Sequence, residues 1–110
     1  MNGTVEFEAD GKAYTMRMTT NAQVRYQRAA GETLLQGLVK IQKDPSDIDR
    51  LRRLIWASMS HVADMTEDAA GDVMDTIGIE TAIGKLSEAV AAAYPKATSG
   101  NAPRAKKSPT

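Results

Sequence analysis

The sequence predicts a mainly α-helical (α+β) fold, in which an N-terminal two-stranded β-hairpin packs on a bundle of about four to five short helices. Three observations predict it. Apolar and polar residues alternate on both sides of Asp10-Gly11, several later segments carry apolar residues at helical spacing, and the last fifteen residues contain no aliphatic side chain larger than alanine. We therefore expect one domain over residues 1–94 and a disordered basic tail over residues 95–110.

The hairpin is predicted by its turn and by its alternation. Asp10-Gly11 suits a type I′ turn, which needs positive φ at both central positions. That turn pairs Phe7 with Tyr14 and Val5 with Met16, so these four side chains share one face. A lone hairpin is marginal in water, so this face must pack on the helices that follow. The outer strand edge then offers a site for pairing with a partner or with a second copy of the chain.

Capping residues and apolar spacing predict the first two helices. Hydroxyl and amide side chains in residues 19–23 start a helix that Gly31 ends. Gly37 weakens the second helix by up to about 1 kcal/mol relative to alanine. A break with Pro45 follows, at or near the start of the next helix. The apolar side expected for the second helix consists of Leu34, Leu35, Leu38, Val39 and Ile41.

The strongest helical pattern lies in residues 46–64, and two further helices follow it. The fourth helix begins at a cap on Thr66 and stops at Gly78, and the fifth helix runs over residues 79–94 and is ended by Pro95. The third helix is expected to bury Ile48, Leu51, Leu54, Ile55, Ser58, Met59 and Val62. The fifth is expected to bury Ile79, Ile83, Leu86, Val90 and Ala93.

Charge and composition exclude several classes of function. Ten basic and fourteen acidic residues precede Pro95, so the predicted domain carries a net charge of −4 and the tail carries +4. A DNA-binding domain needs a basic surface, which this distribution disfavours. The sequence has no cysteine, which excludes disulfides and thiolate metal sites. No apolar run approaches the roughly 20 residues that span a bilayer, so we expect a soluble protein without membrane contacts.

No residue pattern indicates an enzyme, a cofactor or a metal site. His61 is the only histidine, and we expect it at the solvated surface because a catalytic or metal site needs converging partners. Asp68, Asp72 and Asp75 share a helix face. A solvated face is the favoured interpretation of these carboxylates, and an acidic docking patch is the alternative.

Six side chains are candidate partner-binding residues. On the third helix, Trp56 lies at the edge of the apolar stripe and Arg52 lies on its apolar side, where pairing to Asp49 is favoured over a partner contact. Methionine adapts to partner surfaces, although methionine at helical spacing is more often part of a core. The full set is Arg52, Trp56, Met59, Val5, Phe7 and Tyr14.

The order of segments resembles the tail assembly chaperone group of small proteins from gene transfer agents and related siphophages. The resemblance rests on GKAYTMR in the second strand, TTNA at the start of the first helix, IWA in the third, and TED and IGI around the fourth. Each piece is short, so order and spacing carry it over about residues 3–94. An acidic residue is common in the group where Arg25 to Gln27 stand here, so that contact surface is expected to differ.

The resemblance implies a non-enzymatic role in tail morphogenesis. Proteins of this group bind the tape-measure protein, keep its hydrophobic helices soluble and recruit tail-tube subunits. By resemblance, the chain acts in the cytoplasm of a bacterial host and is absent from the mature particle. Two alternatives stay open at this point: a structural tail component retained in the particle, and a small DNA-binding regulatory protein that uses its helices and basic tail.

Overall fold

The computed structural model describes residues 4–93, which form a hairpin followed by five helices. The predicted fold class is confirmed. The predicted basic tail over residues 95–110 lies outside the described residues. The elements are β1 (Thr4–Ala9), β2 (Lys12–Arg17), α1 (Thr20–Ala30), α2 (Leu34–Lys43), α3 (Ile48–Ser58), α4 (Glu67–Ile77) and α5 (Ile79–Ala93).

The hairpin has the predicted turn and register. Asp10 and Gly11 have φ values of 54° and 76°, as a type I′ turn requires. Phe7 pairs with Tyr14 and Val5 pairs with Met16. Strand β1 contacts α4 and α5, and β2 contacts α3 and α5, so the apolar face of the hairpin covers one side of the helical core.

Helix α3 lies at the centre of the bundle and contacts the other four helices. It ends at Ser58, whereas the sequence pattern predicted a helix as far as residue 64. From Met59 onward the backbone N–H groups bond three residues back, as in Met59 to Trp56 and Val62 to Met59. The chain therefore leaves the helix in tight turns and reaches Thr66, whose side chain caps α4 as predicted.

In two helices only part of the predicted apolar side is buried. In α2, Leu34, Leu38 and Ile41 are buried, but Leu35 and Val39 are 42% and 49% exposed. In α5 the core side includes Ala82 and Ala89, while Ile79 is 40% exposed and Ile83 is half-buried. Ile79 shares a helix face with buried Leu86, seven residues on, but it is the first residue of α5 and is exposed at the end of the helix.

A nearly buried carboxylate joins the first three helices. Glu32 stands between α1 and α2 and accepts hydrogen bonds from the Tyr26 hydroxyl, from Lys40 Nζ at 2.9 Å and from Arg50 Nε at 2.9 Å. Arg50 also pairs with Asp47, the N-cap of α3. These bonds satisfy the charge of Glu32 and fix the mutual position of α1, α2 and α3.

Candidate protein-binding surface

An arginine and the only tryptophan stack where α1 meets α3. The Cζ atom of Arg25 lies 3.9 Å from the centre of the Trp56 ring, within the range of a cation–π contact. Arg25 Nη2 also donates a hydrogen bond to the Met65 carbonyl at 3.3 Å. Partial burial lowers the pKa of Arg25, but a guanidinium stays protonated at neutral pH. The stack therefore holds a fixed positive charge against a half-buried aromatic ring.

This stack forms one wall of an open groove of about 500 Å³, which we name the Arg25–Trp56 groove. Positions 21, 24, 25 and 28 of α1 lie on one face of the helix because they are three or four residues apart. Val24 is 39% exposed in this groove. The complete lining is Asn21, Val24, Arg25, Arg28, Ala29 and Trp56.

The two groove arginines differ from the arginines of α3 in their pairing. Within residues 4–93, neither Arg25 nor Arg28 forms a salt bridge, whereas the α3 arginines all pair with carboxylates. Among the described residues, no acidic side chain lines the groove. Its positive charge is therefore not neutralised within the described part of the chain.

Arg52 joins two helices of this chain. Its guanidinium lies 3.3 Å from Asp68 and 3.5 Å from Glu67, and its aliphatic stem packs over Gly71 of α4. Arg52 therefore forms ion pairs within the chain, but its partners are on α4, so the predicted pairing with Asp49 is wrong. Asp49 pairs with Arg53 at 3.8 Å, as their spacing of four residues predicts.

Met59 was expected to contact a partner, and the structure corrects this. Its side chain is fully buried in the core, because α3 ends there and the chain turns inward. The other described methionines, at positions 16, 18, 65 and 74, are also buried. Methionine at these positions fills the core and supplies no exposed adaptable surface. Trp56, in contrast, lies in the groove.

The three hairpin candidates mainly attach the hairpin to the helices. Phe7 is buried, and its ring stacks on Tyr14 with centroids 5.7 Å apart. Val5 and Tyr14 are half-buried against the same core. The hairpin therefore offers a partner mainly the backbone groups at its strand edges, because these three side chains pack against the helices.

The remaining candidates are surface groups with local partners. His61 is exposed and shares a hydrogen bond with Thr15 Oγ1 at 2.7 Å. Partial desolvation of its ring and then the nearby Arg17 lower the pKa of its imidazole, and a hydrogen bond to the Thr15 backbone opposes this shift. Within residues 4–93 no cluster of histidine and carboxylate side chains is arranged to hold a metal ion. Asp72 and Asp75 line a second open groove beside exposed Ile48. None of the described helices has the length and apolar character to cross a membrane.

No protein-family model, curated protein or solved structure matches this chain. The resemblance to tail assembly chaperones therefore remains an expectation from the sequence. Of the groove residues, sequence reasoning identified Trp56 but missed Val24 and Arg28. Val24 and Arg28 are four residues apart, which places them on one face of α1 and could have indicated a shared surface. Arg25 was singled out only because an acidic residue is common near this position in the tail assembly chaperone group.

Proposed function

We propose that this protein is a non-enzymatic assembly chaperone or adaptor of a phage-like tail, which binds the tape-measure protein and helps recruit tail-tube subunits. The observation that carries the proposal is the Arg25–Trp56 groove. Tryptophan and arginine are the residues most enriched among those that dominate binding energy at protein interfaces. A groove between two helices with an exposed valine suits the apolar face of a third helix.

The tape-measure protein enters the proposal through the sequence resemblance. Its long hydrophobic helices must be shielded from water before the tube encloses them. An open, partly apolar groove shields one short stretch of such a helix. Several copies of this chain would then be needed for each tape measure. The proposal includes action in the cytoplasm of a bacterial host and absence from the mature particle.

Replacing Val24 with glutamate tests the groove. We expect tape-measure capture to fall about tenfold, because the new charge places a polar group on the apolar surface and neutralises Arg28. The measurement is co-expression with the tape-measure protein of the same gene cluster, followed by affinity capture and a solubility assay. Val39→Glu is the matched control, since Val39 is also exposed on a helix and also precedes a basic residue, Lys43, by four positions.

Each outcome of this experiment bears on the proposal. Capture that survives Val39→Glu and is lost with Val24→Glu supports the groove. Capture lost only with Val39→Glu moves the binding surface to α2. An insoluble and unbound tape measure beside folded wild-type chain would falsify the chaperone assignment, and recovery of the chain from purified particles would favour the structural alternative.

The hairpin edge is the surface that we propose for tail-tube subunits. In the observed register, Ala9–Lys12, Phe7–Tyr14 and Val5–Met16 are the hydrogen-bonded pairs, so the residues between them direct backbone groups outward. Within residues 4–93, no backbone group outside the hairpin bonds to the backbone of either strand, and the His61 ring makes a hydrogen bond to the backbone of Thr15. An added strand can use these outward groups.

Ala13→Pro is expected to weaken capture of the tail-tube protein about tenfold while tape-measure capture stays unchanged. Ala13 is exposed, and proline there removes one outward N–H without removing a bond of the hairpin ladder. Ala13→Thr, which keeps the N–H, serves as the control. Wild-type capture by a folded Ala13→Pro variant would exclude pairing at the β2 edge.

A further inference from the structure

We infer that the Arg25–Trp56 groove binds an amphipathic helix of another polypeptide that carries carboxylates beside its apolar anchor. The inference rests on the proposed function, in which the groove is the binding surface, and it adds the chemistry of the bound segment. Three features of the groove support it: arginines that form no salt bridge within residues 4–93, a guanidinium held in place, and apolar residues in the lining.

The charge of the groove is opposite to that of the domain. Residues 1–94 carry a net charge of −4, yet the described residues that line the groove include two arginines and no carboxylate. Arg50, Arg52 and Arg53 show that this fold pairs arginines internally where carboxylates are placed for it. A bound segment with carboxylates supplies the neutralisation that Arg25 and Arg28 lack, and a segment with lysine at the same places is repelled.

Arg25 is prepared for such a contact. The stack on Trp56 at 3.9 Å and the bond to the Met65 carbonyl fix its guanidinium. Only one of its five N–H donors is used in that bond, so others remain for a carboxylate. Immobilising a flexible arginine side chain on binding costs conformational entropy. Arg25 is already largely immobilised before a partner binds, so most of this cost is avoided.

The apolar part of the groove sets the anchor. Val24, Ala29 and Trp56 line the groove together with the two arginines, in an open volume of about 500 Å³. This arrangement fits a leucine- or phenylalanine-sized side chain flanked by glutamate or aspartate one helical turn away. Arg28 lies three residues after Arg25, about one turn of α1, so both can reach carboxylates on the same face of a bound helix.

The acidic groove on α4 of a second copy is the competing occupant. It combines exposed Ile48 with Asp68, Asp72 and Asp75. Asp68, however, already pairs with Arg52 of its own chain. A single contact between these two unlike grooves is also a head-to-tail contact, which produces rings or open chains unless both groove pairs form at once in one two-fold dimer. An acidic helix of another polypeptide is limited neither by an existing ion pair to Arg52 nor by the geometry of self-assembly.

The test uses Trp56 as its own reporter, since the sequence contains no other tryptophan. The full chain is titrated with a tryptophan-free helical peptide of about 18 residues, roughly five turns, with a leucine stripe flanked by glutamates. A matched peptide has glutamine at every glutamate position. We expect the acidic peptide to change the Trp56 emission and to bind about tenfold more tightly, with a difference that shrinks as salt is added.

Two variants assign the effect to the groove arginines. Arg28→Gln is expected to weaken the acidic peptide several-fold, and Arg25→Gln with Arg28→Gln is expected to remove the preference for it. The control is Arg17→Gln with Lys43→Gln, which changes the net charge equally at exposed residues outside the groove that also lack salt bridges within residues 4–93. Melting curves confirm that each variant is folded, and Arg28→Gln alone suffices if the double variant is not.

Several results overturn the inference. These are equal affinity for both peptides, binding of neither peptide, and an equal response to a single-stranded oligonucleotide. An emission change that depends on protein concentration in the absence of peptide also overturns it, because it indicates binding of a second copy.

The failure of the proposed function is distinguishable from the failure of the inference. Tape-measure capture that is insensitive to Arg28→Gln and to the double variant refutes the acidic-helix inference alone, while selective peptide binding without tape-measure capture refutes the proposed function alone.

Discussion

Gly37→Ala is expected to destabilise the protein by about 2–3 kcal/mol, although alanine is the better helix former. Gly37 lies in the buried side of α2, and a Cβ atom there would stand 2.5 Å from the Tyr26 hydroxyl oxygen and 2.9 Å from Tyr26 Cζ. Tyr26 is almost fully buried and cannot simply rotate away. The methyl group therefore displaces the hydroxyl from Glu32, and overpacking and the lost bond together exceed the gain of about 1 kcal/mol in helix propensity. Chemical denaturation measures the difference.

Gly84→Ala is the matched control for this prediction. Gly84 also lies inside a helix, but a Cβ atom there meets no atom within 4 Å, so we expect stabilisation by up to about 1 kcal/mol. In a Tyr26→Phe background, Gly37→Ala is expected to cost less, because the oxygen that meets the new methyl group is gone. Equal effects at both glycines would show that the contact with Tyr26 does not decide the result.

Glu32→Gln is expected to lower the free energy of unfolding by about 2–3 kcal/mol at neutral pH. The hydrogen bonds from Arg50 chiefly lower the pKa of Glu32 from 4.5 to about 2; burial opposes the shift, and Tyr26 and Lys40 assist it. The Glu32 side chain is only 11% exposed, so solvent screens these bonds weakly. The shift corresponds to about 3 kcal/mol of stability from the ionised form.

The pH dependence identifies the cause. A carboxylate whose pKa is lowered by folding stabilises the protein above its ordinary pKa, and this contribution is lost as the pH falls towards the folded value. The gap between wild type and Glu32→Gln is therefore expected to be full above about pH 5 and to close towards pH 2. Asp72→Asn, at an exposed carboxylate of α4 without a salt bridge in residues 4–93, is the control and should change stability by less than about 0.5 kcal/mol. A gap that stays constant across this range would contradict the assignment to Glu32.

Features encoded within a few residues were predicted from the sequence. The hairpin register follows from one turn dipeptide and from alternation on either side of it, and each is a local property. Gly31 ends α1 and Thr66 begins α4 for similarly local reasons of backbone conformation and capping. The end of α3 was missed because residues 59–62 continue the helical pattern, while Met59 turns into a core that distant segments build.

The groove residues likewise include one that the sequence pattern identified and others that only the packing of helices brings together. Trp56 was identified because its position on the edge of an amphipathic stripe is visible within α3 itself. Its partnership with Arg25 was not, because the two residues lie on different helices and meet only when α1 packs against α3. The pairing of Arg52 with Glu67 and Asp68 likewise depends on the packing of α4.

By itself, the sequence determined the fold class, the hairpin and most helix boundaries, since turn chemistry, capping and periodicity act over a few residues. Only the tertiary structure decided which of the apolar residues of α2 and α5 are buried, which arginines are neutralised and which are left at the groove. The physical reason is that burial and ion pairing depend on distances between segments far apart in the chain. Val39 and Leu38 are adjacent and similarly apolar, yet the position of the neighbouring helices buries one and exposes the other.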